Sequence, residues 1–142
     1  MNVIFHQEYI VKRDDYTGAG KASSEIKRAL KEIGIEAKIL RNIAVASYEA
    51  EINMVIHAYG GIIKMDVYEN GDIHLLFADD GPGIKDIEKA MVPGFSTASE
   101  KARSLGFGAG MGLPNIKRVS DEFTIESSEE GTRIHLVFHT GV

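Results

Sequence analysis

The stretch Ile62-Ile-Lys-Met-Asp-Val-Tyr-Glu-Asn70-Gly71-Asp-Ile-His-Leu-Leu-Phe-Ala-Asp79 carries two apolar runs on either side of an Asn-Gly pair. In the first run Ile63, Met65 and Val67 alternate with Lys64, Asp66 and Tyr68. That period of two puts one face of a strand in a core and the other toward water. Asn70-Gly71 is a strong hairpin signal, because both central positions of a type I′ turn take positive φ. The expectation is two antiparallel strands, Ile62 to Glu69 and Asp72 to Asp79, closed by that turn.

Working outward, Ile134, Leu136 and Phe138 alternate with Arg133, His135 and His139, and Phe123 to Ser127 forms a partner strand across the turn Glu129-Glu130-Gly131. Val3 to Val11 reads as a further strand. Asp14-Asp15-Tyr16-Thr17 resembles a turn and helix cap. A helix then runs to about Ile33, with Ile26, Ala29, Leu30 and Ile33 at helical spacing and Gly34 as its stop. A longer helix covers about Ala37 to Tyr59, a short one Asp86 to Met91, and another Leu113 to Asp121 with Pro114 in its first turn. The small-residue stretch from Pro93 to Ser99 reads as a lid. The fold class expected is an α/β chain of the α+β type, a two-layer sandwich whose mixed, largely antiparallel sheet carries helices on one face. A doubly wound sheet is disfavoured, since its strands are apolar on both faces.

The chain has 142 residues, 44% of them hydrophobic, enough for one domain spanning 1–142 and too few for two ordinary ones. Its net charge is -5. No Lys/Arg run exceeds two residues, so the basic footprint of a nucleic-acid binder is missing. With no cysteine there are no disulfides, thiolate metal sites or thiol nucleophiles. No stretch reads as a signal peptide or as the roughly twenty apolar residues of a membrane span, which makes the cytoplasm the expected compartment.

Four segments carry candidate chemistry. Glu49 and Asn53 are four apart on the second long helix, about 40° around its axis and about 6 Å along it, so they face one site. By spacing alone such a pair is most often an ordinary surface pair. Val45, Ile52 and Ile56 flank them, and partial desolvation raises a glutamate pKa toward that of a useful base. Glu51 lies about 200° from Glu49 and is expected to be a surface charge. Asp79-Asp-Gly81-Pro-Gly83 comes straight off a strand, and its glycines allow close backbone approach. Gly106-Phe-Gly108-Ala-Gly110-Met111-Gly112-Leu113 leads into a helix, an anion site by geometry and dipole, and on its own equally a surface loop. Gly131-Thr132 by itself is a common turn pair.

Two decoys fall away. Gly18-Ala-Gly20-Lys21-Ala-Ser23 is not a P-loop, because Asp15 and Ala22 stand where that motif needs Gly and Ser or Thr. The five histidines show no metal-binding spacing, His135 and His139 being too far apart along a strand for one ion.

Taken in order, the four segments resemble the boxes of the GHKL (histidine-kinase-like) ATPase superfamily. The stretches from Gly94 to Thr97, Leu113 to Arg118 and Asp121 to Ser127 are similar to its small serine kinases of sigma-factor partner switching. None of His6, His57, His74, His135 or His139 is followed by the acidic residue of a histidine-kinase phosphoacceptor, which argues against that branch. The resemblance implies a Bergerat-type ATP-binding fold, with ATP and Mg²⁺ as cofactors. It makes Glu49 the general base, Asn53 the Mg²⁺ ligand and Asp79 the acceptor for the adenine amine. Gly81 and Gly83 lie beside the base, while Gly106, Gly108, Gly110, Met111, Gly112 and Leu113 form the end of the ATP lid. Thr132 lies near the adenine with its hydroxyl on Asp79 or a bridging water. The lid insert Glu100-Lys-Ala-Arg-Ser104 is longer than in the switch-kinase type, and leaves Lys101 and Arg103 as alternatives for the γ-phosphate.

The function so implied is a serine/threonine protein kinase acting on a STAS-domain antagonist. A sigma factor, a phosphatase or a second copy of the chain are further partners compatible with that branch. The alternative from another class is an ATP-gated binding module, or a slow ATPase, without phosphotransfer.

Overall fold

The computed structural model describes residues 2–57, 60–81, 83, 91–92 and 112–141. The expected helix at 86–91 and the lid stretch at 93–99 therefore lie outside the described residues, apart from Met91.

Among the described residues five strands form one sheet: β1 (Val3–Lys12), β2 (Gly60–Tyr68), β3 (Ile73–Asp79), β4 (Glu122–Ser128) and β5 (Gly131–Phe138). Their order is β1-β2-β3-β5-β4 and every pairing is antiparallel. Three helices are described, α1 (Lys21–Ile33), α2 (Ala37–His57) and α3 (Gly112–Val119).

The alternation in the sequence maps directly onto the two faces. Ile63, Met65 and Val67 of β2, Ile73, Leu75 and Phe77 of β3, and Ile134, Leu136 and Phe138 of β5 are all buried. They form one core with Ile26 and Leu30 of α1, Ile43, Ala50 and Met54 of α2, and Ile116 of α3. On the opposite face Lys64, Glu126 and Arg133 are exposed. The sandwich thus has two layers, with the helices on one side, as the half-apolar strands require.

Some boundaries differ from expectation for local reasons. The β2–β3 hairpin is not closed by a type I′ turn: only Gly71 is left-handed, at φ 92°, while Asn70 keeps negative φ. The Gly71 N–H reaches the Tyr68 carbonyl at 2.9 Å, which makes a three-residue loop with a glycine bulge. Asn70 contributes through its side chain, whose Oδ1 accepts from the Asp72 N–H at 3.0 Å. α3 stops at Val119 because the Asp121 N–H is already joined to the sheet, donating to the Val137 carbonyl at 3.0 Å. α1 ends as expected, with Gly34 at φ 98° and its N–H on the carbonyls of Leu30 and Lys31.

Candidate functional site

Asp79 is the last residue of β3, and its carboxylate is held on one side only. Oδ1 accepts the Gly81 N–H at 2.9 Å and the Thr132 N–H at 3.1 Å. Oδ2 has no hydrogen-bond partner among the described residues, which leaves an acceptor for a ligand amine. The strand end is tightly built around this carboxylate. A Cβ on Gly131, at φ 144°, would overlap the Asp79 carbonyl oxygen, and one on Gly83, at φ 83°, would overlap the Ser128 carbonyl oxygen. Glycine at both positions is therefore a steric requirement. Thr132 reaches Asp79 through its backbone N–H, where the expectation put its hydroxyl on Asp79 or a bridging water. The hydroxyl instead pairs with Ser127 Oγ at 2.8 Å.

Glu49 and Asn53 come together as the helical spacing requires, and the first residue of α3 meets both. A Cβ placed on Gly112 would lie 3.4 Å from Asn53 Oδ1 and 3.4 Å from Glu49 Oε2. The helix N-terminus, with its unsatisfied N–H groups and positive dipole end, thus opens beside this pair. α3 has no acidic residue in its first turn and carries Lys117 and Arg118 in its last, a polarity suited to an anion at its start. Leu113 is buried and anchors that turn in the core. Glu49 is half-buried, and desolvation pushes its carboxyl above the usual 4.5. A Cβ on Gly61 would overlap the Ala78 carbonyl oxygen and crowd the Asp79 Cα and the Met54 methyl, so glycine lets β2 lie close to the end of β3 here.

Glu51 is not the surface charge expected from its position on the helical wheel. It is 2% exposed. Its carboxylate caps α1, accepting the N–H groups of Gly20 at 3.1 Å, Ala22 at 3.3 Å and Ser23 at 3.0 Å. α1 has no side-chain cap from its own N-cap position, Gly20, so the Asp14 to Thr17 stretch does not supply one. A wheel gives the direction of a side chain; it does not tell that a helix N-terminus some thirty residues upstream lies there. Lys21, in the rejected P-loop decoy, is exposed as expected.

Gly106, Gly108, Gly110, Met111, Lys101 and Arg103 lie outside the described residues. Among the described residues no group of three or more His, Asp or Glu is placed to hold a metal ion. No described helix is long and apolar enough to cross a membrane. Sequence reading missed Ser127 and the contact between His74 Nδ1 and His135 Nε2, 2.9 Å apart on the outer sheet face. Ser127 stands directly opposite Thr132 and His74 lies diagonal to His135, placements that only the β-register reveals.

Comparison with known proteins agrees with this fold. Residues 13–138 match the histidine kinase-like ATPase domain family. The chain is 38% identical over 106 residues to the anti-sigma F factor of Geobacillus kaustophilus, covering 70% of this chain and 69% of the relative. It is 35% identical over 115 residues to the serine/threonine-protein kinase RsbT of Bacillus subtilis, covering 78% of this chain and 80% of that kinase. Among solved structures, the RsbU and RsbW domains of Rv1364c from Mycobacterium tuberculosis superimpose with a TM-score of 0.62 at 16% identity, over 94% of this chain and 32% of that longer one. The mycobacterial sensor histidine kinase MprB gives a TM-score of 0.51 at 22% identity, over 93% of this chain and 97% of that one. These two likenesses speak to the fold alone. The family is one of ATPases, which implies that the chain uses ATP. The chain belongs to the histidine kinase-like ATPase domain family, in its branch of small anti-sigma factors and partner-switching serine/threonine kinases.

Proposed function

We propose that the protein transfers the γ-phosphoryl group of ATP to a serine or threonine of a small STAS-domain antagonist, in a pathway that controls a sigma factor. The observation that carries this reading is the convergence of Glu49, Asn53 and the start of α3 on one point. A general base, a hard oxygen ligand and an anion-binding helix end are the parts that phosphoryl transfer asks of a protein.

In this reading Asp79 Oδ2 accepts from the exocyclic amine of adenine, and Gly81, Gly83 and Thr132 shape the walls around the base. Adenine is preferred over guanine, which has a carbonyl in place of that amine. The Asn53 amide oxygen suits Mg²⁺, which takes one or two protein oxygens and completes its shell with phosphates and water. When bound, Mg²⁺ supplies charge neutralisation on the phosphates. Gly106, Gly108, Gly110, Met111, Gly112 and Leu113 are assigned to phosphate binding, and the amides at the start of α3 stabilise the phosphate charge. Glu49 takes the proton of the acceptor hydroxyl. The hydroxyl oxygen bonds to the γ-phosphorus as the bond to the β–γ bridging oxygen breaks, and ADP leaves.

The acceptor class rests on kinship with partner-switching proteins. Phosphorylation places roughly two negative charges in the interface with a protein of net charge -5, so the phosphorylated antagonist leaves. A sigma factor, a phosphatase or a second copy of the chain are further partners in keeping with that kinship. The test is to capture proteins that bind this chain with ATP and Mg²⁺ and to map phosphate on them by mass spectrometry. Phosphoserine or phosphothreonine on a STAS-domain protein supports the reading. A partner held only in the presence of ATP, yet never phosphorylated, replaces it with a nucleotide-gated binding module.

A further inference from the structure

We propose that Ser127 is a positioning residue of the base pocket, holding the Thr132 hydroxyl in the orientation in which the pocket receives adenine. The inference rests on the ATP-binding reading above and adds to it a residue outside the four sequence boxes. Ser127 and Thr132 are direct partners across the β4–β5 ladder, and both stand on its inner face. Their hydroxyl oxygens are 2.8 Å apart. Thr132 is 4% exposed and its N–H is already committed to Asp79 Oδ1, so its backbone is fixed relative to the carboxylate. What remains free to turn is χ1. A β-branched side chain on a strand has few accessible rotamers, and a hydroxyl partner selects among them.

Ser127 also touches the other wall of the same corner. Its Oγ lies 3.0 Å from the point a Cβ on Gly83 would occupy, so it stands where the loop after Asp79 meets the β4–β5 turn. A hydroxyl has one donor and two acceptor sites. The bond to Ser127 occupies one of those on Thr132 and so fixes the directions of the others, on a residue whose backbone N–H is held by Asp79. Without Ser127, the buried Thr132 hydroxyl loses this partner and turns to seek another, at the expense of the orientation offered to a base. Serine suits the position because its side chain is small enough to lie against Gly83 and still reaches across the strand.

The test is a double-mutant cycle read by calorimetric titration with ADP in the presence of Mg²⁺. Ser127→Ala is expected to weaken binding roughly threefold to tenfold, the loss of one neutral hydrogen bond. Ser127→Thr, which keeps the hydroxyl, is expected to stay within about twofold of the unmodified protein. In a Thr132→Val background, Ser127→Ala is expected to add nothing, because the group through which Ser127 acts is gone. Equal ADP affinity with and without Ser127, or an undiminished loss in the Thr132→Val background, overturns the proposal while leaving the ATP site intact. An unmodified protein that binds no adenine nucleotide overturns both.

Discussion

Thr132 donates its backbone N–H to Oδ1 of Asp79 at 3.1 Å, joining the end of β3 to the start of β5 across 53 positions of sequence. With the Gly81 N–H on the same oxygen, the carboxylate is fixed by backbone on one side and has no partner on the other among the described residues. A pre-oriented acceptor of this kind discriminates by polarity. A ligand that brings a donor gains a charge-assisted bond, and one that brings an acceptor leaves the carboxylate unpaired.

Asp79→Asn is accordingly expected to weaken ADP and ATP binding by about 1–3 kcal/mol, because an amide can turn a donor toward the adenine amine. Calorimetry on the two proteins measures this, with GTP as the control. Equal affinity for ATP and GTP in the unmodified protein removes Asp79 from its assigned role.

Glu51 predicts an effect on stability. Its buried carboxylate takes three N–H groups of α1, so Glu51→Ala leaves those donors without a partner and uncaps the helix. A loss on the order of 2–4 kcal/mol in urea unfolding is expected, several times what an exposed glutamate on the same helix gives. A loss under about 0.5 kcal/mol contradicts the capping role.

Two histidines are expected to titrate on opposite sides of the usual 6.5. Bonding to Asp72 raises His139, with Glu122 on its other ring nitrogen, while burial and then His135 lower His74. The signs follow by linkage. The His139 contribution is complete below its unfolded pKa and fades as pH rises through the raised folded one. The His74 contribution is complete above its unfolded pKa and fades as pH falls through the lowered one. NMR titration of the ring protons resolves the two, and His139→Gln is expected to flatten the fall in stability above neutral pH. His139 titrating below His74 contradicts the assignment.

The sheet was legible in the sequence because a core face and a wet face impose a period of two, which β2 carries from Ile63 to Tyr68 and β5 from Thr132 to Leu136, before the buried Val137 breaks it. The Glu49–Asn53 pair was legible because helical geometry is local. The cap of α1 was not, since Glu51 reaches it from another helix. Ser127 was hidden for a similar reason: its importance depends on lying opposite Thr132 and against Gly83, a placement set by strand register. The hairpin shows a subtler miss. Asn-Gly marked the turn correctly, but only Gly71 took positive φ, and Asn70 served through its side chain.

The most direct measurement of the central claim is transfer of labelled γ-phosphate from ATP to the proposed STAS-domain acceptor by the unmodified protein and by Glu49→Gln and Asn53→Ala, followed alongside nucleotide affinity. Glu49→Gln is expected to bind ATP normally and to transfer about 10²–10⁴-fold more slowly, while Asn53→Ala loses Mg²⁺-dependent binding. Because burial raises the Glu49 carboxyl, the ascending limb of the rate against pH is expected above 4.5, as the base loses its proton. Near-normal transfer by Glu49→Gln, or no labelled acceptor with the unmodified protein, contradicts the account.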